Sequence, residues 1–226
     1  MKKLLALLPL IGAFALAGCG GEKGNEEGGT TGGEKLAYSE DQVKAKVKEL
    51  ETDGYEISCE INATDMEKTT YIIGVKDEYR WADTGSSKMM AKPVTGGLQT
   101  YDWDEDENIY KKSSLIPSNY SESYMSIFDN YGAFLYEAAH YNDIGDFTKI
   151  RETTFVGRTA IEYKCVFDAP SYGKGSYDLI IDKHTGITLK WAGSATDYRT
   201  NETSSGSYEV KSFKTGADVE IPAHEK

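Results

Sequence analysis

The stretch ESYMSIFDNYGAFLYEAA, residues 122–139, decides how this chain folds. Its apolar side chains recur at spacings of three, four and seven residues, a pattern typical of an amphipathic helix. The apolar stripe consists of Tyr124, Ile127, Phe128, Tyr131, Phe134, Leu135 and Ala138. We predict one helix over 122–139, continuing through Gly132. Because a stripe this long must be buried, we expect the helix to lie on a sheet.

The sequence on both sides of this helix alternates between apolar and polar residues with a period of two, which is typical of half-buried β-strands. In Tyr55–Ile61, for example, every second side chain is apolar. Close spacing of the turns favours antiparallel pairing. The predicted strands cover 55–61, 71–75, 79–81, 88–92 and 99–103 before the helix, and 149–156, 160–167, 176–181, 187–191, 196–200 and 207–213 after it.

A shorter helix is predicted over Glu40–Glu51. Ser39 and Gln42 have the spacing of a capping box, in which each side chain bonds the other's backbone N–H. Val43, Val47 and Leu50 follow at helical spacing, and Gly54 ends the segment.

The first residues have the features of an export signal. Lys2 and Lys3 precede an apolar stretch of about 13 residues, within the range of a secretory signal and too short to span a bilayer. The stretch ends in LAGC at residues 16–19, which resembles the lipobox of bacterial lipoproteins. That resemblance implies cleavage before Cys19, a diacylglycerol thioether on its sulfur and an N-acyl chain, which together suffice for stable anchoring.

The expected organisation is therefore a lipoprotein signal peptide at 1–18, a lipidated cysteine with a flexible tether at 19–36, and one β-rich domain at 37–226. The tether is rich in Gly and Glu and contains almost no large apolar residue, so it cannot bury enough surface to order itself. The formal charge of −12 falls to about −14 without the signal lysines, and it disfavours nucleic acid as a partner.

The order of elements resembles the superfamily of the periplasmic lipoprotein carrier and the outer-membrane lipoprotein receptor (LolA- and LolB-like proteins), which includes mycobacterial lipid-carrying lipoproteins of the LppX and LprG type. The local phrases that carry this resemblance are FVGR at 155–158 with IEY at 161–163, LIIDKHTG at 179–186 with LK at 189–190, and YEVKSF at 208–213 with IP at 221–222. The resemblance covers residues 38–222. It implies a mostly β, α+β fold, an incomplete antiparallel barrel whose apolar concave face is closed by the long helix and the short N-terminal helix.

Cys59 and Cys165 are the only cysteines besides Cys19. Each lies on the apolar face of its predicted strand, so both side chains should point inward. In an oxidising compartment they either form a disulfide or remain small free hydrophobic residues, and the sequence leaves both alternatives open.

No motif for catalysis, a metal or another cofactor emerges from the sequence. His140, His184 and His224 are far apart and have no ligand-like spacing to each other or to a cysteine. Asp102, Asp104, Asp106 and Asn108 alternate as at the start of a calcium loop, but the sixth and twelfth positions lack the required Gly and Glu, so a hairpin turn is the better interpretation. We do not expect an enzyme, because no nucleophile, base and orienting group can be named together.

Aromatic and aliphatic side chains of the predicted strands and helix should converge between sheet and helix. They either fill a core or line a cavity for an acyl chain or another hydrophobic ligand, and spacing alone does not decide between these alternatives. The residues concerned are Tyr71, Ile73, Trp81, Tyr101, Trp103, Phe128, Phe134, Leu179, Ile181, Leu189 and Trp191.

Two functional hypotheses follow. The first is a tethered extracytoplasmic module that binds a lipid or lipoprotein acyl chain, as the resemblance implies. The second is a cell-envelope interaction or sensory protein that uses the fold as a scaffold without a ligand. In both, the lipid anchor places the protein on the outer face of the cell membrane or on an outer membrane, depending on the envelope, and the sequence identifies no protein partner.

The anchor can be tested directly. We expect Cys19→Ala to give an unprocessed or released protein, because the lipid is attached to that sulfur and the apolar stretch alone is too short to span a bilayer. Cell fractionation is the measurement. A Cys19→Ala protein that is processed and membrane-bound to the wild-type extent would contradict the lipoprotein interpretation.

Overall fold

The computed structural model describes residues 34–64, 67–170 and 173–226. The predicted signal, Cys19 and all of the tether before residue 34 lie outside the described residues. Within the described ranges the elements, in chain order, are α1 (Glu40–Asp53), β1 (Tyr55–Ala63), β2 (Thr69–Lys76), β3 (Tyr79–Asp83), β4 (Lys88–Val94), β5 (Gly97–Asp104), β6 (Ile109–Pro117), α2 (Ser118–Tyr131), a 3₁₀ turn (Ala133–Tyr136), α3 (Glu137–His140), a second 3₁₀ turn (Tyr141–Asp143), β7 (Gly145–Phe155), β8 (Arg158–Ala169), β9 (Gly173–Asp182), β10 (Thr188–Thr196), β11 (Thr203–Thr215) and a 3₁₀ turn (Gly216–Asp218).

All eleven strands belong to one antiparallel sheet in the order β6-β5-β4-β3-β2-β1-β11-β10-β9-β8-β7. Consecutive strands pair within β1–β6 and within β7–β11, and the pairing of β1 with β11 joins the two runs of strands. The strands β6 and β7 form the two edges, so the sheet is not closed into a barrel. The predicted fold class, a mostly β open half-barrel with helices, is confirmed.

The N-terminal helix forms where the sequence predicts it. Ser39 Oγ accepts the backbone N–H of Gln42 at 3.3 Å, and Gln42 Oε1 accepts the backbone N–H of Ser39 at 2.9 Å, which completes the capping box. Gly54 ends the helix with a positive φ of 88°, a conformation that glycine adopts without strain. Just before this helix, Lys35 Nζ donates to the Gly145 carbonyl at 2.9 Å, so the last residues of the predicted tether contact the domain.

The long helix is interrupted, and the prediction of one continuous helix over 122–139 is wrong. Helix α2 begins four residues earlier, at Ser118, and ends at Tyr131. Gly132 donates to the carbonyls of Phe128 and Asp129, and the chain continues as a 3₁₀ turn and the short α3. Glycine in a helix interior costs about 1 kcal/mol relative to alanine, which makes this the weakest point of the stripe. No helix of the described ranges is long and apolar enough to cross a bilayer.

Two strand assignments also need correction. The predicted strand at 196–200 is a turn, because Asp197 Oδ1 accepts the Arg199 N–H at 2.6 Å and Asn201 takes a positive φ of 58°. Conversely, β6 was not predicted. It is an edge strand, and its central sequence KKSSL carries mostly exposed side chains with no alternation.

Both faces of the sheet carry buried residues. The helix face packs against α1, α2, the first two 3₁₀ turns and α3, and carries most of the core. The opposite face, which we call the tail face, is crossed by the C-terminal segment 216–226. Tyr110 donates its N–H to the Ala223 carbonyl at 2.8 Å, and the His224 ring lies 4.6 Å from the Tyr79 ring.

Trp81, Tyr101 and Trp103 belong to this tail face, and the prediction that they converge on the helix is wrong. They cluster with Tyr110 and Val219. Trp81 is opposite Gly74 in the β2–β3 pairing, and a Cβ at Gly74 would lie only 2.1 Å from the Trp81 ring. Alternation separates the two faces of a strand but does not say which face meets the helix. The tail makes the second face apolar as well.

The two cysteines are free, and the predicted alternative of a disulfide between Cys59 and Cys165 is wrong for this structure. Cys59 lies on β1 and Cys165 on β8, and three strands separate them. Four strand spacings amount to about 19 Å along the sheet, whereas bridged Cα atoms are roughly 4.4–6.8 Å apart. Each sulfur is packed in a different cluster of the core.

Thiol reactivity follows from this burial. Burial raises the pKa of each thiol to about 12, so we expect neither to react with a thiol reagent in the native chain lacking residues 1–19 at mildly alkaline pH. Both should react once the unreduced chain is denatured. Fewer than two reactive thiols in denaturant would instead indicate a bridge.

Candidate ligand-binding cavity

A cavity of about 70 Å³, partly open to solvent, lies where the helical segment after Gly132 meets the ends of β1 and β10 and the start of β11. Most of its wall is apolar. The lining consists of 61–63 on β1, Phe134, Glu137 and Tyr141 on the helical segment, Tyr177 on β9, Trp191 and Ala195 on β10, and 204–208 on β11.

Small residues on the strands make room for this space. The sequence SSGS at 204–207 and the residues Ala63 and Ala195 line the cavity with short side chains. Two glycines allow large rings to pack close to the strands. A Cβ at Gly206 would come within 3.0 Å of the Trp191 ring, and a Cβ at Gly193 within 2.6 Å of the Tyr177 ring. Trp191 and Tyr177 therefore occupy space that a side chain at Gly206 or Gly193 would need.

Aromatic rings form a continuous wall. The Tyr141 and Tyr177 centroids are 4.9 Å apart, and those of Tyr177 and Trp191 are 4.7 Å apart. Phe134 and Tyr208 form a further pair at 5.1 Å. These separations are those of favourable aromatic pairs, which add about 0.5–1.5 kcal/mol each beyond their buried area. The rings therefore pack against one another along the wall of the cavity.

The helical segment is fixed over the sheet by a buried threonine. Thr188 is 0% exposed, and its Oγ1 accepts the backbone N–H of Ala138 at 3.0 Å. The hydroxyl of Tyr208 donates to the carbonyl of the same threonine. These bonds satisfy polar groups that would otherwise be costly to bury, and they hold α3 beside the cavity.

One carboxylate, that of Glu137, lines the cavity. Its Oε1 accepts a hydrogen bond from the Tyr141 hydroxyl at 3.1 Å, and the hydroxyls of Tyr141 and Tyr177 are 3.4 Å apart. Burial raises the pKa of the Glu137 carboxyl above its ordinary value, against the opposing effects of His140 and the Tyr141 hydrogen bond. Burial likewise raises the pKa of Tyr177 to about 12.

The structure separates the residues that were predicted to line a hydrophobic site. Phe134 and Trp191 line the cavity. The others on the helix face are core residues away from it: Tyr71, Ile73, Phe128, Leu179, Ile181 and Leu189.

The prediction did not include Glu137, Tyr141, Tyr177 or Tyr208. A signal for Glu137 exists, because it lies three residues after Phe134 and four before Tyr141, at a spacing that places all three on one side of a helix. An acidic residue is rarely buried without a partner, so its place on an otherwise apolar stripe indicates a candidate functional residue.

Among the described residues, no group of three or more His, Cys, Asp or Glu side chains is placed to hold a metal. The acidic turn that resembles a calcium loop is engaged with a lysine. Lys111 Nζ lies 2.8 Å from Asp104 and 2.7 Å from Glu107. These two carboxylates therefore have a protein cation as their partner.

No protein-family model matches the sequence, and no curated protein matches it. Solved structures do. They include the MucA/MucB complex of Pseudomonas aeruginosa (14% identity, 80% of this chain and 58% of that one, TM-score 0.40), LprF from Mycobacterium bovis (10%, 84% and 98%, 0.39) and a LolA superfamily protein from Nitrosomonas europaea (11%, 82% and 96%, 0.24). The chain spans about three fifths of the MucB structures.

The architecture is an open half-barrel with helices packed on one face of the sheet. Structures of the superfamily that the sequence resembles are among those similar to this chain, as predicted. These likenesses, with TM-scores between 0.22 and 0.42, concern the fold alone. The function is therefore derived from the cavity.

Replacing Glu137 with glutamine should stabilise the protein at neutral pH. Glutamine can still accept the Tyr141 hydrogen bond, and it removes the cost of a partly desolvated charge. We expect Glu137→Gln to raise Tm by about 2–4 °C, equivalent to roughly 1 kcal/mol in a domain of this size. Because the carboxyl pKa is raised by folding, its charge destabilises above the unfolded-state pKa, and the difference should vanish towards about pH 4.

Thermal unfolding followed by circular dichroism at both pH values is the measurement. Glu202→Gln is the matched control, since Glu202 is exposed in the turn before β11 and its loss should leave Tm unchanged. A lower Tm for Glu137→Gln at neutral pH would contradict the analysis.

Proposed function

We propose that this chain is an extracytoplasmic lipoprotein, anchored through Cys19, whose domain binds a hydrophobic ligand without catalysing a reaction on it. The observation that carries the proposal is the apolar, aromatic-walled cavity between the helical segment and the sheet. Ligand sites in proteins are typically apolar clefts with a few well-placed polar groups, and the single carboxylate with its two tyrosines fits that description.

An acyl chain of a lipid or lipoprotein is the ligand that we propose first. The cavity of about 70 Å³ is smaller than the roughly 150 Å³ of an engineered cavity that binds benzene. A chain must therefore extend from the cavity through its open side, along 62–63 and 204–207, or displace the helical segment. The interruption at Gly132 favours such a displacement, because α3 is only four residues long and is not continuous with α2.

The groups that line the cavity favour binding over catalysis. Within the described residues, its wall carries a carboxylate, tyrosine hydroxyls and serines but no histidine, cysteine or lysine. The Glu137 carboxylate bonds a tyrosine and not a serine. The combination of nucleophile, base and orienting group that acyl transfer needs is therefore not assembled around this space.

Filling the cavity tests the proposal. Ala195 lines the cavity, and its neighbour Ser194 is exposed. In the chain lacking residues 1–19, which keeps every described residue, Ala195→Leu should weaken binding of a fluorescent acyl-ester probe with an uncharged head group at least about tenfold, equivalent to roughly 1.4 kcal/mol. Ser194→Leu adds the same side chain to the same strand and should bind as wild type does.

Lipid co-purifying with each variant is measured by mass spectrometry alongside probe binding and Tm. If Ala195→Leu is too unstable to purify, Ala63→Leu fills the same space from β1. Absence of probe binding and of co-purified lipid in the wild type would overturn the binding proposal and leave the scaffold hypothesis.

A further inference from the structure

The cavity contains a negative charge whose role the proposed function does not explain. Within the described part of the chain, neither lysine nor arginine forms an ion pair with Glu137, and its carboxylate is bonded by the Tyr141 hydroxyl at 3.1 Å. The nearby Glu40 differs, because it pairs with Lys44 at 2.5 Å and with His140 at 3.2 Å. Glu137 is thus the carboxylate at this place that is left to meet a ligand.

We propose that the cavity selects ligands whose buried end is a positively charged nitrogen, an amine or quaternary ammonium group attached to an apolar body. This inference rests on the proposed function, since it names the class of ligand that the same cavity takes. It is carried by the joint presence of the Glu137 carboxylate and the aromatic wall.

The aromatic residues supply the second half of the recognition. Cations are attracted to the faces of Trp and Tyr rings within about 6 Å of the centroid, and sites for quaternary ammonium groups combine several such rings. Here Tyr141, Tyr177 and Trp191 follow one another at 4.9 and 4.7 Å along the wall that also holds Glu137. A cation in this space would meet both the carboxylate and the rings.

Head groups of other charge or size match the cavity less well. A carboxylate or phosphate head group would face the Glu137 charge, and no lysine or arginine among the described residues lines the cavity to compensate. An alcohol would find a hydrogen-bond acceptor but no charge. A volume of about 70 Å³ suits a small head group better than a chain. The apolar remainder of the ligand would then lie at the open side, along the small residues of 204–207.

The other titratable groups near Glu137 do not replace the ligand's charge. Tyr141, Tyr177 and Tyr208 have pKa values raised by burial and are neutral at physiological pH. Burial also raises the pKa of Tyr136. His140, on the same short helix, contacts Glu40 of α1, and Glu40 itself carries the Lys44 ion pair. Glu137 is therefore the carboxylate that lines the cavity itself, whereas Glu40 and His140 lie outside the lining.

The test is a matched octyl series titrated calorimetrically into the chain lacking residues 1–19: octyltrimethylammonium, octylamine, octanol and octanoate. We expect both cations to bind at least tenfold more tightly than octanol, and octanoate to bind most weakly. Glu137→Gln should reduce cation affinity about tenfold, the equivalent of roughly 1.4 kcal/mol, and change octanol affinity far less. Acidification should weaken cation binding in the wild type alone, since it protonates Glu137.

Glu202→Gln changes the net charge identically at an exposed position and should leave every affinity unchanged, which separates the site from the general negative field of the protein. Octanol or octanoate binding as tightly as the cations, with no effect of Glu137→Gln, would overturn this inference while the hydrophobic-binding proposal stands. If no member of the series binds and the uncharged acyl-ester probe also fails, both proposals are wrong. A preference for octyltrimethylammonium over octylamine would assign the larger role to the rings, and the reverse to the carboxylate.

Discussion

Pairing of β1 with β11 is the contact on which the rest of the structure depends. Nine residue pairs, from Tyr55 opposite Thr215 to Ala63 opposite Gly206, join the first and last strands of the chain. Without them the protein would consist of two separate antiparallel runs, each with an unpaired edge and an uncovered apolar face. Because these partners are far apart in sequence, their pairing carries a large loop-closure cost and should form late in folding. The helical segment between the two runs then lies across the junction and packs on strands from both.

The junction also determines where the cavity lies. Residues 61–63 of β1 and 204–208 of β11 are partners at the end of this pairing, and they form one side of the space. The larger core clusters lie on either side, one centred on β1, β2 and β11 and the other on β8 and β9. Trp191 packs against both. The cavity therefore lies at the boundary between two well-packed regions. The small side chains of serine, glycine and alanine on the strands there do not fill the space below the helical segment.

Periodicity was sufficient to predict the architecture, because a stripe of period 3.6 between two series of period 2 admits few arrangements. It was insufficient wherever a residue's surroundings depend on distant chain. Trp81 and Tyr101 are buried, and Trp103 is half-buried, in the cluster that includes Val219 of the tail, and strand alternation says nothing of a segment more than a hundred residues away. The edge strand β6 has no alternation to detect. At Gly132 the low helix propensity of glycine outweighs the apolar stripe, so the α-helix ends there. In the cavity, Phe134 and Trp191 could be predicted because they are large apolar residues. Tyr177 and Tyr208 become wall residues only through strand register.

Two independent features of the cavity oppose stability at the same place. Small residues leave volume unfilled, although a larger side chain at Ala195 would bury more apolar surface. A carboxylate remains in an apolar wall, although glutamine would keep its hydrogen bond and avoid the desolvation cost. Elsewhere on the helix face the packing follows the ordinary rules, with inward strand residues apolar and buried threonine bonded. Departures from those rules are expected at functional sites, where stability is exchanged for binding. Because an unfilled volume and a carboxylate without a lysine or arginine partner among the described residues have separate physical causes, their coincidence in one cavity favours a ligand that satisfies both.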